Sequence, residues 1–272
     1  MNPFRQLLKA AGSHPPIGTW VMSASPIVVE AIGYAGFDWG VLDMEHTPLD
    51  LMVLVHMLQA VGNTKMVPVV RVPWNDSVMV KRVIDAGAQT LLFPFVQNAE
   101  EARRAVASTR YPPQGVRGMA GMSRASKFGT VPDYLKTANR YMSVIVQLET
   151  AAAVAALDEI AAVEGVDAIF MGPADLSASM GHVGQLTHPE VMDLMRSAAE
   201  RCKALGKPIG TVGGTPELVA QYRAMGYTYV AIASDMGLLM RGAQAAVNAL
   251  RTQDSAPQVH TLSAGTKTEG GY

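Results

Sequence analysis

A single cysteine, Cys202, stands among 272 residues. It rules out an internal disulfide and suits a structural thiol in a reducing compartment. Charge is scarce as well: 17% of residues are charged and the net charge is −1. Without a basic excess there is no electrostatic reason to expect nucleic acid or an acidic membrane as partner. No apolar run approaches the roughly 20 residues needed to cross a bilayer. Residues 1–11 pattern as a short amphipathic helix with no signal-peptide core, so a cytoplasmic protein is expected. What the chain does have is apolar mass. Hydrophobic residues make up 49%, which suits a large buried core in one big α/β domain or two small ones.

That apolar mass is distributed in short runs, at about 17–22, 37–42, 66–71, 90–94, 142–149, 166–171, 207–212 and 228–232. They read as buried strands. Between them lie helical stretches at about 26–35, 50–60, 76–86, 98–108, 151–161, 190–204, 215–224 and 235–249. Several open with proline or acids, as in Ser25-Pro26, Asn98-Ala99-Glu100-Glu101 and Thr215-Pro216-Glu217. Several close on glycine, at Gly36, Gly62, Gly87, Gly206 and Gly226. Strand and helix alternating eight times favour a closed (β/α)₈ barrel over an open doubly wound sheet. The domain is expected to span 1–251, with a disordered polar tail over 252–272. A long connection at about 110–130 precedes a short helix near 132–139.

The chemically capable residues fall where the apolar runs end. In a parallel barrel all these ends gather at one rim, where active sites are built. Gln147 and Glu149 are two apart and share a strand face, while Asp175 follows the next strand. Two carboxylates at neighbouring strand ends, without a nearby His or Cys, suit a hard divalent cation such as Mg²⁺ or Mn²⁺ more than zinc. The blander alternative has Glu149 opening the next helix and Asp175 capping a turn. Small residues in Gly172-Pro173-Ala174-Asp175-Leu176-Ser177 could turn backbone amides toward an anion, or simply make a tight turn. His46, beside Asp43 and Glu45, is placed to move protons near neutral pH. Arg71 ends the third strand, where a guanidinium could neutralise a carboxylate or a developing oxyanion. Asp85 sits in the apolar Val83-Ile84-Asp85-Ala86-Gly87 and needs a partner; orienting His46 or capping a turn would each supply one. His14, His56, His182, His188 and His260 lack such company.

As a set, these segments resemble the HpcH/HpaI aldolases, metal-dependent class II pyruvate aldolases acting on 4-hydroxy-2-oxo acids. The resemblance runs over about 5–250. It is carried by Phe37-Asp38-Trp39, Asp43-Met44-Glu45-His46, Val69-Val70-Arg71 and Asp85-Ala86-Gly87-Ala88-Gln89-Thr90. Farther on it continues through Arg110-Tyr111-Pro112-Pro113, Gly115-Val116-Arg117-Gly118, Gln147-Leu148-Glu149-Thr150, Val163-Glu164-Gly165-Val166-Asp167 and Gly172-Pro173-Ala174-Asp175-Leu176-Ser177. It implies a barrel whose last helix is exchanged between subunits, in dimers that build a hexamer. It implies reversible cleavage to pyruvate, or a related 2-oxo acid such as hydroxypyruvate, and an aldehyde, through an enolate held at a divalent cation (Mg²⁺, Mn²⁺ or Co²⁺), with no organic cofactor. Glu149 and Asp175 would hold the metal. His46 would be the base, Asp85 would raise its basicity, and Arg71 would stabilise the enolate-like transition state. Gln147 and the amides of Ala174 and Asp175 would seat the 2-oxo acid.

Two departures bear on the aldehyde: Met44, where the family usually has a small residue, and a shorter segment over Met119-Ala120-Gly121-Met122-Ser123-Arg124. Thr211-Val212-Gly213-Gly214 also differs in detail, which places Val212 at the acceptor pocket. No Schiff-base lysine is placed for attack. The rivals are a citrate-lyase-type C–C lyase, a phosphate-binding barrel and a non-enzymatic interaction protein. The phosphate reading lacks a glycine loop after the eighth strand, where Ala233-Ser234-Asp235-Met236 stands.

Overall fold

A computed structural model of the chain describes residues 1–12 and 14–254. Eight parallel strands close on themselves in chain order: β1 (Ile17–Val21), β2 (Trp39–Asp43), β3 (Val67–Arg71), β4 (Thr90–Phe93), β5 (Ser143–Leu148), β6 (Val166–Met171), β7 (Ile209–Gly213) and β8 (Tyr229–Ser234). The expected (β/α)₈ barrel is the observed one. Helix α1 (Pro3–Ala10) precedes the barrel. Around it follow α2 (Pro26–Tyr34), α3 (Leu51–Val61), α4 (Ser77–Asp85), α5 (Ala99–Thr109) and α6 (Tyr134–Thr137). The second half carries α7 (Ala151–Ala155), α8 (Leu157–Ala161), α9 (Pro173–Ser179), α10 (Pro189–Ala204), α11 (Pro216–Met225) and α12 (Asp235–Asp254).

The pleat sorts side chains into two cores. Outward-facing strand residues such as Leu42, Val70, Leu91 and Val146 pack beneath the helices. Inward-facing ones, among them Trp20, Trp39, Val41, Val69, Phe170 and Tyr229, fill the barrel itself. Glycines make room for the large rings: a Cβ at Gly18 would sit 2.2 Å from the Trp39 ring, and one at Gly210 would sit 2.2 Å from the Tyr229 ring. Helix α1 closes the end from which the strands start. Its Phe4 is fully buried against Trp39 and Tyr229. Asn2 caps α1 and donates to the carbonyls of Gln89 and Tyr141 at 2.9 and 2.8 Å. The opposite end stays open, and there the functional side chains gather.

Two local expectations changed. The stretch 151–161 is two short helices, because Ala156 leaves helical geometry at ψ 7°. Helix α9 stands where a loop was expected; seven residues are too few for periodicity to show. The described chain divides into two compact units, one closing at Met236 and the next starting at Gly237, and α12 runs to Asp254. The expected disorder of the tail, from 255 onward, lies outside the described residues.

Candidate active site

Arg71 is the best-held cation at the open end. It is the last residue of β3 and pairs in register with Asp43, the last of β2. Its Nε and Nη2 donate to the two oxygens of Asp43 at 2.8 and 2.7 Å, a bidentate pair with Asp43 fully buried. Its Nη1 lies 2.8 Å from Glu45 Oε2, and the guanidinium carbon sits 5.3 Å from the Trp20 ring centroid. Burial works against this charge, but the Asp43 bond and the negative charges of Asp43, Glu45 and Glu149 outweigh it and raise the Arg71 pKa. Two of the five guanidinium N–H groups hydrogen-bond Asp43, and Nη1 meets Glu45 Oε2 as an ion pair without a hydrogen bond, so three N–H groups have no hydrogen-bond partner among the described residues.

Glu149 follows β5 directly. Thr150 is the N-cap of α7, and Glu149 itself points inward. Its Oε1 accepts from Gln147 Nε2 at 2.8 Å and its Oε2 accepts from the Phe95 backbone N–H at 2.8 Å. Phe95 directs that N–H from a left-handed backbone (φ 54°), a strained state for a side-chain-bearing residue. Burial, and then the nearby charges of Glu45 and Asp175, push the Glu149 pKa up to about 7 despite the Phe95 hydrogen bond. Glu45 is likewise raised, first by burial, with Asp43 and Asp175 adding to it. Asp175 lies exposed in the first turn of α9, which is capped by Gly172.

These groups do not balance. Four carboxylates (Asp43, Glu45, Glu149 and Asp175) face one guanidinium, a surplus of three negative charges when all are ionised. Buried like charges are costly unless a cation joins them. The buried Gln147 Oε1 accepts no hydrogen bond from any described residue. Gly172 forms a cradle: a Cβ there would stand 2.7 Å from Glu149 Cγ and Oε1. An all-oxygen donor set with this surplus of negative charge fits a hard divalent cation.

His46 lies just past β2 with its side chain 60% exposed, and its Nε2 is 3.7 Å from Glu45 Oε2. Val212 is half-buried near the end of β7, against the inner cluster that holds Trp20 and Phe170. Sequence reasoning left Asp85 to orient His46 or to cap a turn. Asp85 ends α4, at the helix end that returns toward the start of the strands. There it accepts from Arg117 Nη2 at 2.7 Å, and Arg117 stacks over Tyr111. Asp43 and Glu45 were named only as neighbours of His46, yet they hold Arg71. Their i, i+2 spacing at a strand end is the same signal that singled out Gln147 and Glu149.

Residues 16–242 match the family described as HpcH/HpaI aldolase/citrate lyase. The chain belongs to that family. A similar protein, 2-dehydro-3,6-dideoxy-6-sulfogluconate aldolase of Pseudomonas putida, is 50% identical over 246 residues, 90% of this chain and 96% of its own. The 5-keto-4-deoxy-D-glucarate aldolase of Salmonella arizonae is 47% identical over 243 residues, 89% of this chain and 94% of its own. A crystal structure of an HpcH/HpaI aldolase/citrate lyase family protein from Burkholderia cenocepacia J2315 superposes with a TM-score of 0.89 at 40% identity, covering 92% of this chain and all of that one. This family member is a carbon–carbon lyase of the aldolase class.

Proposed function

We propose that the substrate is a 4-hydroxy-2-oxo acid of the 3-deoxy sugar-acid kind, cleaved to pyruvate and an aldehyde at the open barrel end. The observation that carries this reading is the unbalanced carboxylate cluster around Glu149, set beside one rigidly oriented guanidinium. Glu149 and Asp175 would hold Mg²⁺ or Mn²⁺, with Co²⁺ as a substitute. Once bound, the cation supplies Lewis acidity that makes the ketone of a 2-oxo acid electron-poor.

The remaining work falls to the chain. Gln147, fixed by its bond to Glu149, and the unsatisfied amides of Ala174 and Asp175 in the first turn of α9 seat the carboxylate end. N–H groups of Arg71 outside the Asp43 pair meet the keto oxygen as it gains negative charge, an effect typically worth about 2.7–4 kcal/mol. His46, open to solvent, takes the proton of the 4-hydroxyl as the C3–C4 bond breaks, and returns it in the condensation direction. Asp85 is left out of this proton path within its own chain. Val212, packed against the inner cluster, borders the aldehyde portion, whereas Met44 is buried in the outer core beneath the helices. The exposed apolar residues of α12, Leu238, Leu239 and Met240, support exchange of this helix between subunits of a dimer-based hexamer.

Pyruvate release from a panel of 4-hydroxy-2-oxo acids, measured with each cation in turn, tests the reading. Arg71→Ala and His46→Ala should each cost at least about tenfold in rate. Full turnover after exhaustive chelation would overturn the metal assignment.

A further inference from the structure

A second group of metal-capable side chains lies away from the carboxylate cluster. The turn after α9 and the start of α10 bring together His182, His188 and Glu190, three residues that look unrelated along the chain. One donor atom from each lies within 4.8 Å of the other two. His182 Nε2 is 3.0 Å from Glu190 Oε2. The two imidazoles stack, with ring centroids 3.5 Å apart and planes 16° from parallel.

The scaffold beneath them is well tied. His182 N–H donates to the Ser177 carbonyl at 2.8 Å, Gln185 N–H to His182 at 2.9 Å, and His188 N–H to Gln185 at 3.0 Å. Gly181 and Gly184 take positive φ values of 84° and 75°, which lets the segment double back so that its two histidines meet.

An ordinary ion pair would account for His182 and Glu190 alone. It does not account for His188, whose Nδ1 is buried and has no hydrogen-bond partner among the described residues. Nor does it explain why a second imidazole is pressed against the first, where protonating both would set like charges face to face. A neutral pair of imidazoles with a carboxylate alongside is a donor set that satisfies all three at once.

We propose that His182, His188 and Glu190 form a second cation site, selective for a late first-row divalent ion such as Zn²⁺. Imidazole nitrogen favours these ions over Mg²⁺, whereas the all-oxygen cluster at Glu149 favours the reverse, so one chain separates two classes of metal. Ligand atoms of a tetrahedral zinc lie about 3.4 Å apart, inside the 4.8 Å that bounds the three donors. Coordination requires the stacked rings to open so that both lone pairs meet one centre. That is a rotation about the soft terminal torsion of histidine. Glu190 is largely exposed, which leaves the fourth position to water.

The test titrates the full-length protein with Zn²⁺ in excess Mg²⁺ by calorimetry and counts the bound ion by elemental analysis. Wild type should bind one Zn²⁺ that Mg²⁺ does not displace. His188→Ala and the double variant His182→Gln/His188→Gln should bind it at least about tenfold more weakly, since loss of even an indirect supporting contact costs 10–100-fold. Aldolase activity with Mg²⁺ should stay at the wild-type level in both variants, which shows that they fold. Glu149→Gln should retain this Zn²⁺ equivalent. No Mg²⁺-resistant Zn²⁺ in wild type, equal binding by the histidine variants, or its loss in Glu149→Gln would each overturn the assignment.

Discussion

Cation binding at the carboxylate cluster should depend steeply on pH, because the Glu149 carboxyl titrates at about 7 rather than near 4.5. A cation binds the ionised form, so each bound ion must displace whatever proton the carboxyl carries. At about pH 5 only ~1% of this group is ionised, so affinity should be about a hundredfold weaker than on the plateau above pH 8, or ~2.7 kcal/mol. A carboxyl of ordinary pKa would be mostly ionised at about pH 5 and would cost less than about twofold. Calorimetric titration of Mn²⁺ into metal-free protein, repeated in buffers of different ionisation enthalpy, reads both quantities. Near pH 6 it should report release of about 0.9 proton per ion, and near pH 8 close to none. Without metal, the linkage to stability has the matching sign. The folded-state pKa is raised, so this group's contribution is whole below about 4.5 and is lost as pH rises through about 7. Metal-free Glu149→Gln should therefore gain up to about 3 kcal/mol over wild type near pH 8 and little near pH 5. The new amide can be accommodated, since the buried Gln147 Oε1 is an idle acceptor and a flip of that amide turns it toward the variant. Affinity that is flat from about pH 5 to 8 would refute the reasoning, because Glu149 would then be ionised throughout.

Three further perturbations follow from the same geometry. Gly172→Ala would push a methyl to within 2.7 Å of Glu149 Cγ and Oε1; a Mn²⁺ affinity at least about tenfold weaker is expected, and wild-type affinity would remove the cradle from the account. Asp43→Ala leaves the buried Arg71 without its bidentate partner; denaturant unfolding should show a loss of about 3–5 kcal/mol, and a loss under ~1 kcal/mol would mean the pair is dispensable. Burial pushes the Cys202 thiol up to about 12, so a chromogenic thiol reagent near pH 8 should label it only on unfolding; rapid labelling of native protein would contradict its buried position.

The barrel was legible because its signal is repetitive. Each of eight short apolar runs is followed by a polar-faced helix with a proline, acid or glycine at its ends, and errors at one boundary do not disturb the others. Strand-end residues were legible for the same reason: Arg71, Gln147 and Glu149 needed only the direction of the strand to be placed at the rim. Features made by contact between distant segments were not. Phe95 gives no sequence sign that its backbone N–H will seat Glu149, since a left-handed phenylalanine is imposed by tertiary structure. His182 and His188 read as isolated loop residues, because the turns that stack them depend on two glycine conformations and on anchorage to the end of α9.

Asp85 and Asp43 show what polarity alone leaves open and topology narrows. Both are acids in apolar settings, and both therefore demand a cationic or donor partner. Asp85 was left to orient His46 or to cap a turn, since either would supply a partner. Asp43 drew no assignment because it stood next to a more conspicuous histidine. Direction decides between them: a strand delivers its last residue to the open end of the barrel, and the following helix returns its last residue to the closed end. Asp43 ends β2 and meets Arg71 at the end of β3, one strand over and in register. Asp85 ends α4 and meets Arg117 from the long connection beyond α5. Each acid has thus found an arginine on its own side of the barrel. The two pairs also differ in what they leave free. The Asp43–Arg71 pair fixes a guanidinium that keeps three N–H groups without a hydrogen-bond partner among the described residues, whereas Arg117 is fully buried and stacked on Tyr111. The second pair ties the long connection to α4.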